Sequence, residues 1–155
     1  MPLVPKHIRS LQSYKPGRPI EDVRRELGLE HIIKLASNEN PHGPSPMALE
    51  AVQSTLADNF RYPDASAFIL REKLAGCFNL KIDNVVVGGG SEGVMSTIMR
   101  TFLRQGDEII AADNSFIGFR VLANSSGIHT NWVPLKNFHH DLSEMVEQIN
   151  DYTKI

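Results

Sequence analysis

The residues from Val85 to Met95, VVVGGGSEGVM, are suited to holding an anion. Three valines run into three glycines, and a helix-compatible stretch leaves them. Glycine lets the backbone approach a charged ligand closely, and the first N–H groups of a helix point at whatever lies beyond its amino end. Ser91 adds a hydroxyl that can donate to the anion or cap the helix. The same residues also describe a glycine-rich turn with a serine cap and no ligand. Gly88, Gly90 and Gly93 satisfy the G-x-G-x-x-G spacing of dinucleotide sites, and Asp113 follows about 20 residues on, where an acidic side chain takes a ribose hydroxyl. That keeps a nicotinamide-dependent oxidoreductase in view. Against it stand the long patterned stretch ahead of the motif, which usually opens its domain, and Glu92. The Glu92 carboxylate suits the helix dipole but crowds a pyrophosphate.

Other residues offer single functions. Asn38 and Asn40, in SNENP, each present an amide acceptor and two donors to a loop, although such residues also build turns with no ligand. Tyr62, in RYPD, carries a phenol donor at a bend fixed by Pro63. Phe116 and Phe119 follow an apolar run and can stack on a planar ligand or join the core. The histidines lack metal-ligand spacing: His139-His140 reads as a solvated turn, and His42 has no partners spaced for a metal. Cys77 reads as packing.

The elements that must position these residues follow from punctuation and period. Pro2, Pro5, Pro16 and Pro19 predict an extended arm over roughly the first 20 residues. Ile20 to Leu27 reads as a short helix ended by Gly28, and Ile32, Ile33 and Leu35 as a short strand. Ser45-Pro46 opens a helix with Val52, Leu56 and Phe60 on one stripe. A second helix carries Leu70, Leu74 and Phe78, and a third, after the glycines, Val94, Ile98 and Phe102. Strands are expected at Val85–Val87, Glu108–Ala112 and Thr130–Pro134. A helix is expected from Phe116 to Ser126, with Gly127 beyond its end, and another to Asn150 behind a capping box of Asp141 and Glu144. Strand and helix alternate from Val85 onward, which predicts an α/β fold around a parallel sheet. The chain stops at Thr153-Lys154-Ile155, where a further strand is expected, as in the front part of a longer protein.

Composition narrows the classes. With 155 residues and 41% of them hydrophobic, the chain can bury a core. Sixteen Lys and Arg against 18 Asp and Glu leave a net charge of −2, so no basic field draws it to nucleic acid or a membrane surface. A single cysteine excludes an internal disulfide framework and is compatible with a reducing, cytoplasmic setting.

In their order and spacing, LASNENPHGPSP, RYPD, VVVGGGSEGVM and DNSFIGFRVL resemble the histidinol-phosphate aminotransferases. These are pyridoxal-phosphate enzymes of the class I/II aminotransferase superfamily, with the αβα architecture called fold type I. The resemblance runs from about Ile33 to Ile155. It implies amino transfer between histidinol phosphate and 2-oxoglutarate, through imidazole acetol phosphate and glutamate, in histidine biosynthesis. It implies that pyridoxal 5′-phosphate is held through its phosphate by the backbone of Gly90, Ser91 and Glu92, that Phe116 stacks on its ring, and that Tyr62 reaches the phosphate of a partner subunit in a homodimer. Asn38 falls where the family lines its substrate pocket. Residues 1–45 then correspond to an arm and substrate loop, and residues 46–155 to the first part of the cofactor-binding domain. The sequence departs from the family in reading Ser91-Glu92-Gly93 where Asp-Glu is frequent, and Phe116 where many relatives have Tyr. The family's Schiff-base lysine lies further along than residue 155, so no catalytic lysine is assigned and the chain alone is expected to be inactive. Aromatic-amino-acid aminotransferases share much of the pattern.

Overall fold

The computed structural model describes residues 2–11 and 16–155. They fall into two compact units, Met1–Ser13 with Phe68–Ile155, and Tyr14–Ala67. This division follows packing and leaves the expected boundary at residue 45 unmarked.

The arm is not extended throughout. Behind Pro5, which presets φ at the helix entry, Lys6–Arg9 forms one helical turn, α1; part of the expected arm lies outside the described residues. The helices α2 (Ile20–Leu27) and α3 (Pro46–Thr55) belong to the second unit. Gly28 stops α2 in the left-handed region at φ 65°, where its N–H donates to Arg24 O at 2.9 Å. Ser45 occupies the N-cap of α3 but makes no side-chain capping bond. The strand expected at Ile32–Leu35 does not form. Among its described residues this unit contains no other strand with which it could pair.

The first unit continues with α4 (Phe68–Phe78), α5 (Gly90–Phe102), β1 (Glu108–Ala112), α6 (Ile117–Ser126), β2 (His129–Val133) and α7 (Leu142–Glu147). The strands β1 and β2 are parallel, in register from Glu108 opposite His129 to Ala112 opposite Val133. On its other edge β1 meets the end of the chain. Glu108 N–H donates to Tyr152 O at 2.8 Å, Lys154 N–H to Glu108 O at 3.0 Å, and Ile110 N–H to Ile155 O at 2.8 Å. The further strand expected there thus begins, parallel to β1. With both edges of β1 taken, the valine run has no place beside it. Val85 is extended, at φ −110° and ψ 118°, yet Val85–Val87 joins no ladder and the strand expected there is absent.

The core lies on β1. Ile109 is fully buried, and Met99, Leu103, Ala111 and Ala123 close around it with Phe119 and Trp132 at the margin. The residues that α5 buries are therefore Met99 and, at its C-cap, Leu103. Of the expected stripe, Ile98 and Phe102 lie one position away and are exposed, and Val94 is half-buried. Val52, Leu56 and Phe60 are exposed too, as are Leu70 and Phe78. Apolar spacing marks which residues share a face, but a neighbour must be present to cover it.

Asp141 caps α7 by accepting from Glu144 N–H at 3.2 Å. The box is half formed, because the Glu144 carboxylate turns forward to Gln148 Nε2 at 2.9 Å. Glu108 anchors the start of β1 to both neighbouring segments. Its Oε2 accepts from Asn150 at 2.9 Å and Asn131 at 3.0 Å. The Asn150 bond, then the Asn131 bond and the charge of His129, hold its carboxyl below the ordinary range against partial desolvation. A depressed folded pKa means that stability is present above the unfolded pKa and lost as pH falls through the folded one. Replacing Glu108 with Gln is expected to flatten the loss of stability between about pH 5 and 3 in urea melts across that range.

Candidate functional site

The parallel strands give the first unit a polarity. The helix α5 runs back against β1, and its carboxyl end lines a cavity of about 780 Å³ together with Glu108 and His129 at the strand starts. Its amino end therefore points toward the opposite, carboxyl edge, where α6 begins after Asp113–Phe116. Ligands of parallel sheets sit at that edge. A second hollow, about 410 Å³, opens there between Asp113 and Asn114 at the end of β1 and Pro134, Leu135, Asn137 and Phe138 beyond β2.

The amino end of α5 is open. Gly89 is its N-cap and no side chain caps it, so the hydroxyl of Ser91 does not take the capping role. Gly90 stands at φ 73°, which glycine alone adopts freely. A Cβ built at Gly89 or Gly90 would meet nothing within 4 Å, whereas one at Gly88 would lie 3.1 Å from Val94 Cγ2. Gly88 thus packs the incoming chain against the helix, and the two following glycines face free space. The Gly90 N–H turns back to Gly88 O at 2.8 Å, whereas the next N–H groups of the first turn of α5 have no intrahelical acceptor; Gly90, Ser91 and Glu92 are exposed. These residues fit an anionic group such as a phosphate, with Glu92 as the one opposing charge.

Phe116 is the N-cap of α6 and exposed, whereas Phe119 packs against the core. The sequence left both roles open to both residues. The Phe116 ring folds back over Gly118, where an added Cβ would fall 2.5 Å from Cε1 and 2.9 Å from Cζ. Asp113, the residue a dinucleotide site needs for ribose, is already engaged: Arg120 pairs with its Oδ1 at 2.6 Å and also bonds its carbonyl oxygen. Gly118 and Arg120 lie within the DNSFIGFRVL segment but received no role from the sequence. Their spacing from Phe116, at i+2 and i+4 in a helix start, was the available signal.

Asn38 and Tyr62 lie in the second unit. Asn40 is spent on its own turn, accepting from His42 N–H at 3.1 Å and donating to Gly43 O at 2.9 Å. Asn38 has no such partner among the described residues and is exposed. Tyr62 is fully exposed, at 101%, just before an Asp64 turn that holds Ser66. Among the described residues no three His, Cys, Asp or Glu side chains converge as metal ligands, and no helix is long and apolar enough to cross a membrane.

A family model described as aminotransferase class I and II matches residues 30–155. Histidinol-phosphate aminotransferase of Moorella thermoacetica is 41% identical over 148 residues, which is 96% of this chain and 38% of that protein. The enzyme of the same name from an Anaeromyxobacter species is 40% identical over 156 residues, covering all of this chain and 43% of its own length. The chain spans about two fifths of the length of these curated relatives. Its fold matches the crystal structure of histidinol-phosphate aminotransferase from Sinorhizobium meliloti in complex with pyridoxal-5′-phosphate, at a TM-score of 0.78 and 22% identity, over 95% of this chain and 39% of that one.

Replacing Gly118 with Ala should separate two effects. The helix gains about 0.5–1 kcal/mol from the lost flexibility of glycine, so thermal stability is expected to hold or rise. The Phe116 ring must move, and the ring proton shifts of Phe116 in NMR spectra are expected to change while those of Phe119 stay.

Proposed function

Since the chain belongs to the aminotransferases of class I and II, we propose that it forms the pyridoxal 5′-phosphate-binding front of a histidinol-phosphate aminotransferase. The observation that carries this reading is the uncapped amino end of α5 at the same sheet edge as the exposed ring of Phe116. The backbone of Gly90, Ser91 and Glu92 receives the phosphate, through the N–H groups of Ser91 and Glu92, since that of Gly90 donates to Gly88 O, and the helix dipole there favours negative charge. Phe116 stacks on the pyridine ring and fixes its tilt. Asn38, whose amide has no partner among the described residues, contacts the substrate. When bound, pyridoxal phosphate supplies an electron sink for the substrate's α-carbon. The substrates proposed are histidinol phosphate and 2-oxoglutarate. The relatives' names support that choice over aromatic amino acids. Amino transfer is proposed for the assembled cytoplasmic enzyme. Residues 1–155 alone are expected to show no turnover above free cofactor, because none of the chain's lysines stands in the context of a cofactor lysine.

Thermal melts test the cofactor reading. Pyridoxal 5′-phosphate at a hundredfold excess over its Kd should stabilise the protein by about 2.7 kcal/mol. Pyridoxal without the phosphate should do far less, and Gly90→Ala should weaken binding by roughly 1–2 kcal/mol through its left-handed backbone. Stabilisation by a nicotinamide dinucleotide and none by pyridoxal phosphate would reverse the assignment.

The homodimer follows from Tyr62. Its phenol is fully exposed and bonds to no group among the described residues, as a residue acting on a neighbour's ligand would be. Losing that hydrogen bond to a charged phosphate should cost about 1–3 kcal/mol of affinity. Tyr62→Phe and Gly90→Val proteins bind cofactor poorly when separate. After subunit exchange, a mixed dimer gathers both lesions in one site and leaves the other intact, so strong binding is expected to return to one site in two. Proven exchange without recovered binding means that Tyr62 serves its own subunit.

A further inference from the structure

The connection from β1 to α6 is four residues long, Asp113 to Phe116, and it delivers the ring proposed to stack on the cofactor. Both its ends are tied to one side chain's residue. At the far end, Phe119 N–H donates to Phe116 O at 3.0 Å and Arg120 N–H reaches the same oxygen at 3.5 Å. At the near end, the Arg120 guanidinium bonds the Asp113 carbonyl oxygen and, at 2.6 Å, its carboxylate. Asp113 is also fixed to β2, since its N–H donates to Val133 O at 2.8 Å. The guanidinium itself is held over the Trp132 ring of β2, with its carbon 3.8 Å from the ring centroid. A planar group that stacks on one face and donates along its edge is a task for arginine and not for lysine.

We propose that Arg120 is a positioning residue: held on Trp132, it clamps Asp113 and thereby sets where the Phe116 ring stands over the pyridine ring. The role rests on the aminotransferase reading and deepens it, because it acts on the cofactor only through Phe116. Gly118 completes the device by leaving the ring room to fold back.

A double-mutant cycle tests this in the protein carrying these residues, with pyridoxal 5′-phosphate as the probe. Arg120→Met is expected to weaken cofactor binding about tenfold when Phe116 is present and less than about twofold in a Phe116→Ala background. Arg120→Lys keeps the charge but not the fork, and should fall between. If the Met variant fails to fold, the Lys variant carries the cycle. Hydrogen exchange of the peptide spanning residues 113–120 should quicken in both variants while that of residues 46–58 stays unchanged. Equal losses in both Phe116 backgrounds, or no loss at all, overturn the positioning role. Equal binding by wild type and variants sinks this role alone, whereas a wild type that binds no pyridoxal phosphate sinks the aminotransferase reading along with it.

Discussion

Every positional statement about this chain depends on β1 having two edges and both being occupied. The strand is short, but its main-chain groups pair with β2 on one side and with Tyr152–Ile155 on the other. Buried amide groups need such partners, and in a parallel arrangement they fix one edge of the sheet as the place where strands end. The helices α5 and α6 must then start at that edge and run back, because each connects to a strand pointing the other way. An anion-receptive helix end and an exposed aromatic reach the same edge through this constraint alone.

How much of this the sequence disclosed depends on whether the signal was local. Gly28 and Gly127 ended their helices where expected, both left-handed, because a C-terminal glycine acts within its own turn. The strand β1 was legible from its apolar run, and β2 as a weaker strand at Thr130–Pro134. Val85–Val87 is more apolar and β-branched than either and is not a strand, because pairing is decided by which edges are free. Arg71 shows what replaces the ladder there: its guanidinium donates to Val85 O at 2.8 Å and Ile82 O at 2.9 Å. The same holds for α5, whose apolar positions announced a helix but not which stripe β1 would cover. Of the candidate site residues, Gly90 and Phe116 were marked by motif. Gly118 and Arg120 stand at i+2 and i+4 from Phe116, a spacing that places them near it without saying what they touch.

The chain also separates stability from exposure of function. Its buried side chains are few and mostly small, with Ile109 and Val133 the largest that are fully covered. The polar ties do much of the locating: Glu108 joins three segments at the amino edge, and Arg120 joins three at the carboxyl edge. Ties of this kind have strict directions, unlike apolar contacts, so they specify geometry more than they add free energy.

The order of the segments across β1 has a consequence for synthesis on the ribosome. The chain emerges from its amino end, and α5, β1, α6 and β2 can close as a right-handed crossover unit while later residues are still being made. Tyr152–Ile155 arrives after them and finds its edge of β1 already formed. Until then that edge presents bare amide and carbonyl groups, the template on which nascent chains aggregate. Between the emergence of β2 and that of Tyr152–Ile155, a chaperone covering that edge would guard the chain against such pairing.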